Sequence, residues 1–331
     1  MSKSKDKKLN KQNIIIAVLV LLSIIAGFLA LSYWDKSNSE YEGEPNQEVD
    51  LLFTYNGQEY LPKKNVETFL VMGLDKYSDE VNTDLFNNNL QSDFLMLFVL
   101  DHDKKTCNAI HINRDTMTQI NVLGVAGDIV DVVNKQIALS HTYGNGDKMS
   151  CRNTSDAVSK LLLDIDIDHY ASVTMDAVPI FNDYAGGVEL EILDDFTGID
   201  DTLIKGQKVL LQGEHALHYV RFRKGVGDNT NASRMIRQRQ YIEALYNKAK
   251  KKSTSDNEFT AKSLVKISDY LVSDCSISIL QETIENIENY TFGEIYYFEG
   301  ETKQGEEFIE FYPTEDSITQ IVANLFYDVK K

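Results

Sequence analysis

Two uninterrupted apolar runs constrain this chain more than any other feature: Glu67-Thr-Phe-Leu-Val-Met-Gly73 and Phe94-Leu-Met-Leu-Phe-Val-Leu100. A strand with one wet face alternates apolar and polar residues, whereas a strand covered on both faces is apolar throughout. Each run has strand length, and the first ends at a glycine turn. They predict central strands of a sheet with helices on both sides. The alternating segment 107–113 should pair beside them, and Asn56-Gly57 signals a hairpin before them. Further strands are expected over 170–174, 188–192 and 218–222. Helices are expected over 154–163, 177–184, 213–217, 232–252, 259–288 and 317–327. Residues 294–298 and 308–312 read as a closing strand pair. Strands alternating with helices imply one α/β domain.

The N-terminus reads differently. Lys3, Lys5, Lys7, Lys8 and Lys11 lie in a basic tail, residues 1–12, ahead of an apolar stretch over 13–34. About twenty helical residues span roughly 30 Å, the hydrocarbon thickness of a bilayer. Basic residues before it, with Asp35, Glu40 and Glu42 after it, place the N-terminus in the cytoplasm. A cleaved signal peptide would carry an apolar region of only about 7–15 residues. The expectation is an uncleaved single-pass transmembrane helix, an extracellular stalk over 35–50 and an extracellular domain over 51–331. Cys107, Cys151 and Cys275 are an odd number for such a domain. A bridge between the first two stays open, and buried thiols are the plainer reading. Six histidines show no zinc pattern.

A formal charge of -18 argues against nucleic acid as a partner. Within that acidity, five of only seven arginines fall between Arg221 and Arg239. Guanidinium is permanently charged and offers paired donors that match phosphate oxygens. On a strand, Arg221 and Arg223 would share one face. On the helix that follows, Arg234, Arg237, Gln238 and Tyr241 form one stripe. Arg239 falls off it and is expected to face solvent. The cluster predicts a phosphate or pyrophosphate site.

Asp75 follows the first apolar run and Asp93 precedes the second. If those strands are antiparallel, the two carboxylates meet, and two carboxylates beside phosphates are a usual way to hold Mg²⁺. Parallel strands would put them at opposite ends. Asn113-Arg114-Asp115-Thr116 closes the third strand, and Lys135 is a further candidate phosphate contact. No Gly-x-x-x-x-Gly-Lys-Ser/Thr, Gly-x-Gly-x-x-Gly or Gly-x-Ser-x-Gly motif occurs.

These pieces have an order: an apolar anchor, Met72-Gly-Leu-Asp75, Gln91-Ser-Asp93, Asn113-Arg-Asp-Thr116 and Ser140-His-Thr-Tyr-Gly144. Gly186-Gly-Val188, Leu211-Gln-Gly-Glu-His-Ala-Leu217, Tyr219-Val-Arg-Phe-Arg-Lys224 and Arg234-Met-Ile-Arg-Gln238 follow. The chain so resembles the LytR-CpsA-Psr (LCP) family of cell-wall assembly enzymes, over about residues 66–250. The resemblance implies a single α-β-α sandwich with a mixed central sheet and an apolar tunnel for a lipid tail. It implies a phosphotransferase outside the membrane, moving a glycopolymer such as teichoic acid or capsule from a polyprenyl-pyrophosphate carrier to peptidoglycan. By motif, Arg114, Lys135, Arg221, Arg223, Arg234, Arg237 and Gln238 would bind pyrophosphate. Asp75 and Asp93 would hold Mg²⁺, with Asp93, Arg114 and Arg221 catalytic and Asp93 activating the acceptor hydroxyl. Gln91, Phe94, Asn231 and the Asn-rich insertion 82–89 depart from the family pattern. Two other readings share the same phosphate chemistry: a non-catalytic polyprenyl-phosphate or cell-wall binder that regulates envelope assembly, and a membrane-anchored pyrophosphatase.

Overall fold

The computed structural model describes residues 53–76 and 90–330. The expected tail, transmembrane helix, stalk and insertion (1–12, 13–34, 35–50 and 82–89) lie outside the described residues. Among the described residues, no helix is long and apolar enough to cross a membrane.

Asn56 and Gly57 both take left-handed backbone angles (φ 50° and 75°), turning β1 (Phe53–Tyr55) into β2 (Gln58–Pro62). The two apolar runs become β3 (Val66–Leu74) and β4 (Ser92–Asp101), and the alternating segment becomes β5 (Thr106–Ile112). A hairpin follows, β6 (Met117–Leu123) and β7 (Ile129–Gln136), then helix α1 (Lys148–Leu161). Next come β8 (His169–Val173), α2 (Ala177–Ala185), β9 (Val188–Glu191), β10 (Lys208–Leu211), α3 (Glu214–Arg221) and α4 (Asn231–Ser255). The C-terminal part holds α5 (Phe259–Ile267), β11 (Leu271–Ser273), α6 (Ile277–Asn289) and β12 (Thr291–Tyr296). It ends with β13 (Gly300–Gln304), β14 (Ile309–Pro313), α7 (Glu315–Phe326) and β15 (Tyr327–Val329).

The main sheet has the order β11-β8-β3-β4-β5-β12. It is mixed: β3 and β4, β4 and β5, and β8 and β11 run antiparallel, while β3 and β8, and β5 and β12, run parallel. One face carries Leu70, Met72, Leu95, Leu97 and Val99 against Cys151, Ala157 and Val158 of α1 and Ile321 and Val322 of α7. Phe69 and Ala171, on the opposite face, meet Leu264 of α5 and Leu280 of α6. Helices cover both faces, so the fold is an α-β-α sandwich. Full burial of each large aliphatic side chain contributes about 1.5–3 kcal/mol.

Three expectations fail locally. Residues 218–221 are helical, because Ala216, Leu217 and Tyr219 bury together on one side of α3. The Tyr219 ring stacks on Phe196 at 5.7 Å. The stretch 259–288 is broken by β11, which adds to the sheet edge beside β8. The segments around 294–298 and 308–312 do not pair with each other. β12 joins β5, while β14 pairs with β13 across a short loop whose closure costs little entropy. The three cysteines are free, with Cys107 and Cys151 buried.

Candidate functional site

The antiparallel pairing of β3 and β4 sets the end of one strand beside the start of the other, so Asp75 and Asp93 lie at one edge. There the ladder slips by one residue: Gly73 faces Phe94 while Leu74 faces Ser92, leaving Asp93 as the surplus residue of a bulge. In a regular strand Asp93 and Phe94 would point to opposite faces. The bulge lets both line one cleft, a typical use of this irregularity beside functional sites. Gly73 is required by this close approach, since a Cβ there would stand 2.9 Å from that of Phe94.

Arginines converge on these carboxylates. Asp93 Oδ1 accepts from Arg114, whose other terminal nitrogen donates to Gln91. Arg234 Nη1 donates to Asp93 Oδ2 at 3.2 Å, and Arg221 Nη2 lies 3.3 Å from Asp75 Oδ1. Asn231 at the start of α4 holds Arg234 in place, its Oδ1 accepting from Nε at 3.0 Å and Nη2 at 2.7 Å. Buried Asp115 completes the cluster, 3.3 Å from Arg114 Nε and bonded by Gln136 at 3.0 Å. Its own burial raises it above the usual carboxylate range, against the pull of Arg114, Arg223 and Arg234. Three guanidiniums (Arg114, Arg221 and Arg234) contact three carboxylates, and Arg223 acts electrostatically on Asp115 and Arg234, so four cations oppose three anions.

The charged cleft opens into an apolar cavity. Gly73, Phe94, Val173, Val178, Val220 and Gln238 border both. The cavity begins as a space of about 220 Å³ and continues into one of about 320 Å³. Val71, Phe181, Ile242 and Leu245 line both parts, and Ile284, Ile287 and Phe292 lie at the deeper end. His111 packs against Phe94, ring to ring at 5.2 Å. Burial first, then Arg239 and Arg234, pushes its imidazole down to about 3, so it is neutral.

The sandwich has relatives among known proteins. The LytR_cpsA_psr family model matches residues 29–319. The chain belongs to this family. Among curated LCP proteins, 203 residues are 29% identical to the polyisoprenyl-teichoic acid–peptidoglycan teichoic acid transferase TagU of Halalkalibacterium halodurans. That match covers 61% of this chain and 58% of the relative. The chain spans about half the length of the first curated relatives it matches. TagV of B. subtilis superposes with a TM-score of 0.59 at 25% identity, covering 80% of this chain and 96% of TagV. A structure of TagT bound to LI-WTA superposes with a TM-score of 0.59 at 19% identity, covering 79% and 90%.

Not every arginine of this LCP protein reaches the cleft. Arg237 is fully buried and turned the other way: its Nε lies 2.9 Å from Asp194 Oδ2. Its terminal nitrogens donate to the carbonyls of Tyr219 and Phe222, and its plane lies over Phe196. It ties α4 to the turn after α3 and offers nothing to a ligand. Arg239, expected in solvent, is half-buried over the Tyr297 ring at 4.5 Å. Lys135 is exposed on β7, on the opposite side from Gln136. Gln238 borders the cleft with its amide nitrogen bonded to the Val220 carbonyl. Arg221 and Arg223 do not share a strand face, since one ends α3 and the other sits in the turn beyond it.

Sequence reasoning missed Asp194 and Gln136. Both act through partners distant in the chain, and no local spacing signals them. It noted Gln91 only as a departure, whereas that side chain steadies Arg114.

Asp75 and Asp93 suit Mg²⁺. The oxygens are hard donors, Asp75 is half exposed, and one arginine contact leaves its second oxygen open. Asp93 has both oxygens engaged and would share one.

Proposed function

We propose that the chain is an extracellular phosphotransferase, held at the membrane by the apolar segment 13–34. It takes a teichoic-acid-like glycopolymer from a polyprenyl-pyrophosphate carrier and links it to peptidoglycan. One observation carries the reading: a cleft of guanidiniums and carboxylates opens directly into an apolar cavity. A prenyl tail needs the cavity and a pyrophosphate needs the cleft. The teichoic acid transferase TagU among its relatives and the LI-WTA bound by TagT support the same substrate class.

The acceptor hydroxyl attacks the phosphorus that bears the polymer, forming a new P–O bond. The bridging P–O bond breaks, and polyprenyl phosphate leaves. Charge builds on the migrating phosphoryl oxygens and on the departing phosphate. Arg114, Arg221, Arg223 and Arg234 are placed to balance it without reorganising. Mg²⁺, held by Asp75 and Asp93, would add charge neutralisation on the phosphates. Asp93 takes the acceptor proton once Arg114 or Arg234 turns from it to a phosphate oxygen.

Full-length protein in detergent, given a polyprenyl-pyrophosphate glycan and peptidoglycan oligomers, should yield linked polymer. Free polymer phosphate would mean hydrolysis. Tight carrier binding without turnover, given a competent acceptor, would make the protein a regulator.

A further inference from the structure

Away from the cleft, α3 carries a second cluster of side chains. His215 and His218 lie one turn apart, and both aim Nδ1 at Asp200 Oδ2, at 2.7 and 2.8 Å. Asp200 is buried, its side chain 5% exposed, and comes from the turn before β10. Its other oxygen accepts from the Thr202 backbone N–H at 3.2 Å and hydroxyl at 2.6 Å. One carboxylate oxygen is therefore fixed from behind while the second is presented to two imidazoles. The three candidate ligand atoms lie within 4.8 Å of one another.

We propose that Asp200, His215 and His218 bind one divalent transition-metal ion of the Zn²⁺ class, clamping the turn at Asp200 to helix α3. Zinc holds nitrogen and oxygen ligands at about 2.0–2.2 Å, which at the tetrahedral angle places neighbouring ligand atoms about 3.3–3.6 Å apart. The Asp200 oxygen and each imidazole nitrogen, now 2.7 and 2.8 Å apart, would have to separate by roughly half an ångström to nine-tenths of one. His215 is 46% exposed and His218 29%, so their rings have room to move and open positions face water. Two imidazoles and a carboxylate form a donor set that first-row metals bind well and Mg²⁺ does not. Thr202 supplies the outer hydrogen bonds that orient a ligating carboxylate. On binding, each Nδ1 turns its lone pair to the ion and the ring carries its N–H at Nε2.

A second group, His169, Asp274 and Cys275, is a poorer candidate. His169 is shared between Glu67 and Asp274 at 3.6 and 3.5 Å. Burial, then Asp274, pushes the Cys275 thiol up to about 11, away from the thiolate a metal needs.

The test uses chelator-stripped full-length protein, titrated with Zn²⁺ by calorimetry and with Co²⁺ by visible absorption. One equivalent should bind in the low micromolar range or tighter, with Co²⁺ bands of a four- or five-coordinate ion and a higher Tm. His218→Gln and Asp200→Asn should each weaken that equivalent at least 30-fold. His169→Gln and Asp75→Asn should leave it in place. An equivalent that survives both His215→Gln and His218→Gln, or affinity weaker than about 100 μM, overturns the site. Metal-free Tm values of the variants, each near the parent's, would exclude misfolding as the cause.

Discussion

The two faces of the central sheet are built from the same strands and end differently. On one face, Leu70, Met72, Leu95 and Leu97 have no exposed surface, and α1 and α7 fill the space above them. On the other, Phe69, Val71, Phe94 and Phe98 are equally apolar, yet a long cavity separates part of them from α2, α4 and α6. Apolar patterning alone does not separate a core from a binding site. What distinguishes the open face is its charged rim and a helix, α4, that stands off from the sheet.

The comparison can be broken first with truncations. Leu97→Ala should cost about 2–5 kcal/mol by urea unfolding, because it opens a void in a filled face. Leu245→Ala, bordering existing space, should cost less than half as much, and equal losses would erase the distinction. Next in size is the rim. Arg221→Ala should lower transfer about 100-fold or more while shifting stability by less than about 0.5 kcal/mol. Arg237→Met, one helix further in, should instead destabilise the fold through uncompensated Asp194, visible as a lower Tm with or without substrate. Filling the open face comes third: Val71→Phe should keep stability within about 1 kcal/mol and weaken polyprenyl-phosphate binding about tenfold. Unchanged binding would place the tail elsewhere.

The smallest effect is a pH slope. The folded pKa of His111 lies near 3, below its unfolded value of about 6.5, so only the unfolded chain takes up a proton between them. Its contribution is fully present above about pH 6.5 and falls as pH drops toward 3, by up to roughly 1.4 kcal/mol per unit. Buried His141, held down to about 4, adds to the same slope. His111→Leu should flatten the fall in unfolding free energy between pH 6.5 and 5, and an unchanged slope would show that His111 titrates normally.

Much of this was legible in the sequence, for physical reasons. β3 and β4 are buried on both faces and so print as uninterrupted apolar runs, and Asn56-Gly57 prints its turn directly. The scarcity of arginine exposed the rim, and ordered motifs tied it to a family. Other parts depended on distant partners. Residues 218–222 combine Tyr, Val and Phe, which favour strands, but burial of Tyr219 against Phe196 decided for helix. The β6–β7 hairpin could have been read from Gly124 and Gly127 between two β-branched stretches, yet exposed β7 residues hid its alternation. Arg234 and Arg237 share a stripe on paper, but Asp194 draws one inward and Asp93 the other toward the rim. The histidines print no metal pattern, because Asp200, which both His215 and His218 meet, comes from a separate turn and joins them only once the chain folds back.

Helix α4 has one further consequence. Its residues from Gln238 through Tyr241, Ile242, Leu245 and Tyr246 to Ala249 and Lys250 border the cavity, a path of about 18 Å at helical rise. A single leaflet of a bilayer offers a lipid tail roughly 15 Å of hydrocarbon. If the cavity takes a carrier tail, as proposed above, the protein serves as a private solvent that matches in length the leaflet the tail leaves. Extraction would then be a partition between two oils, with water kept out of the exchange.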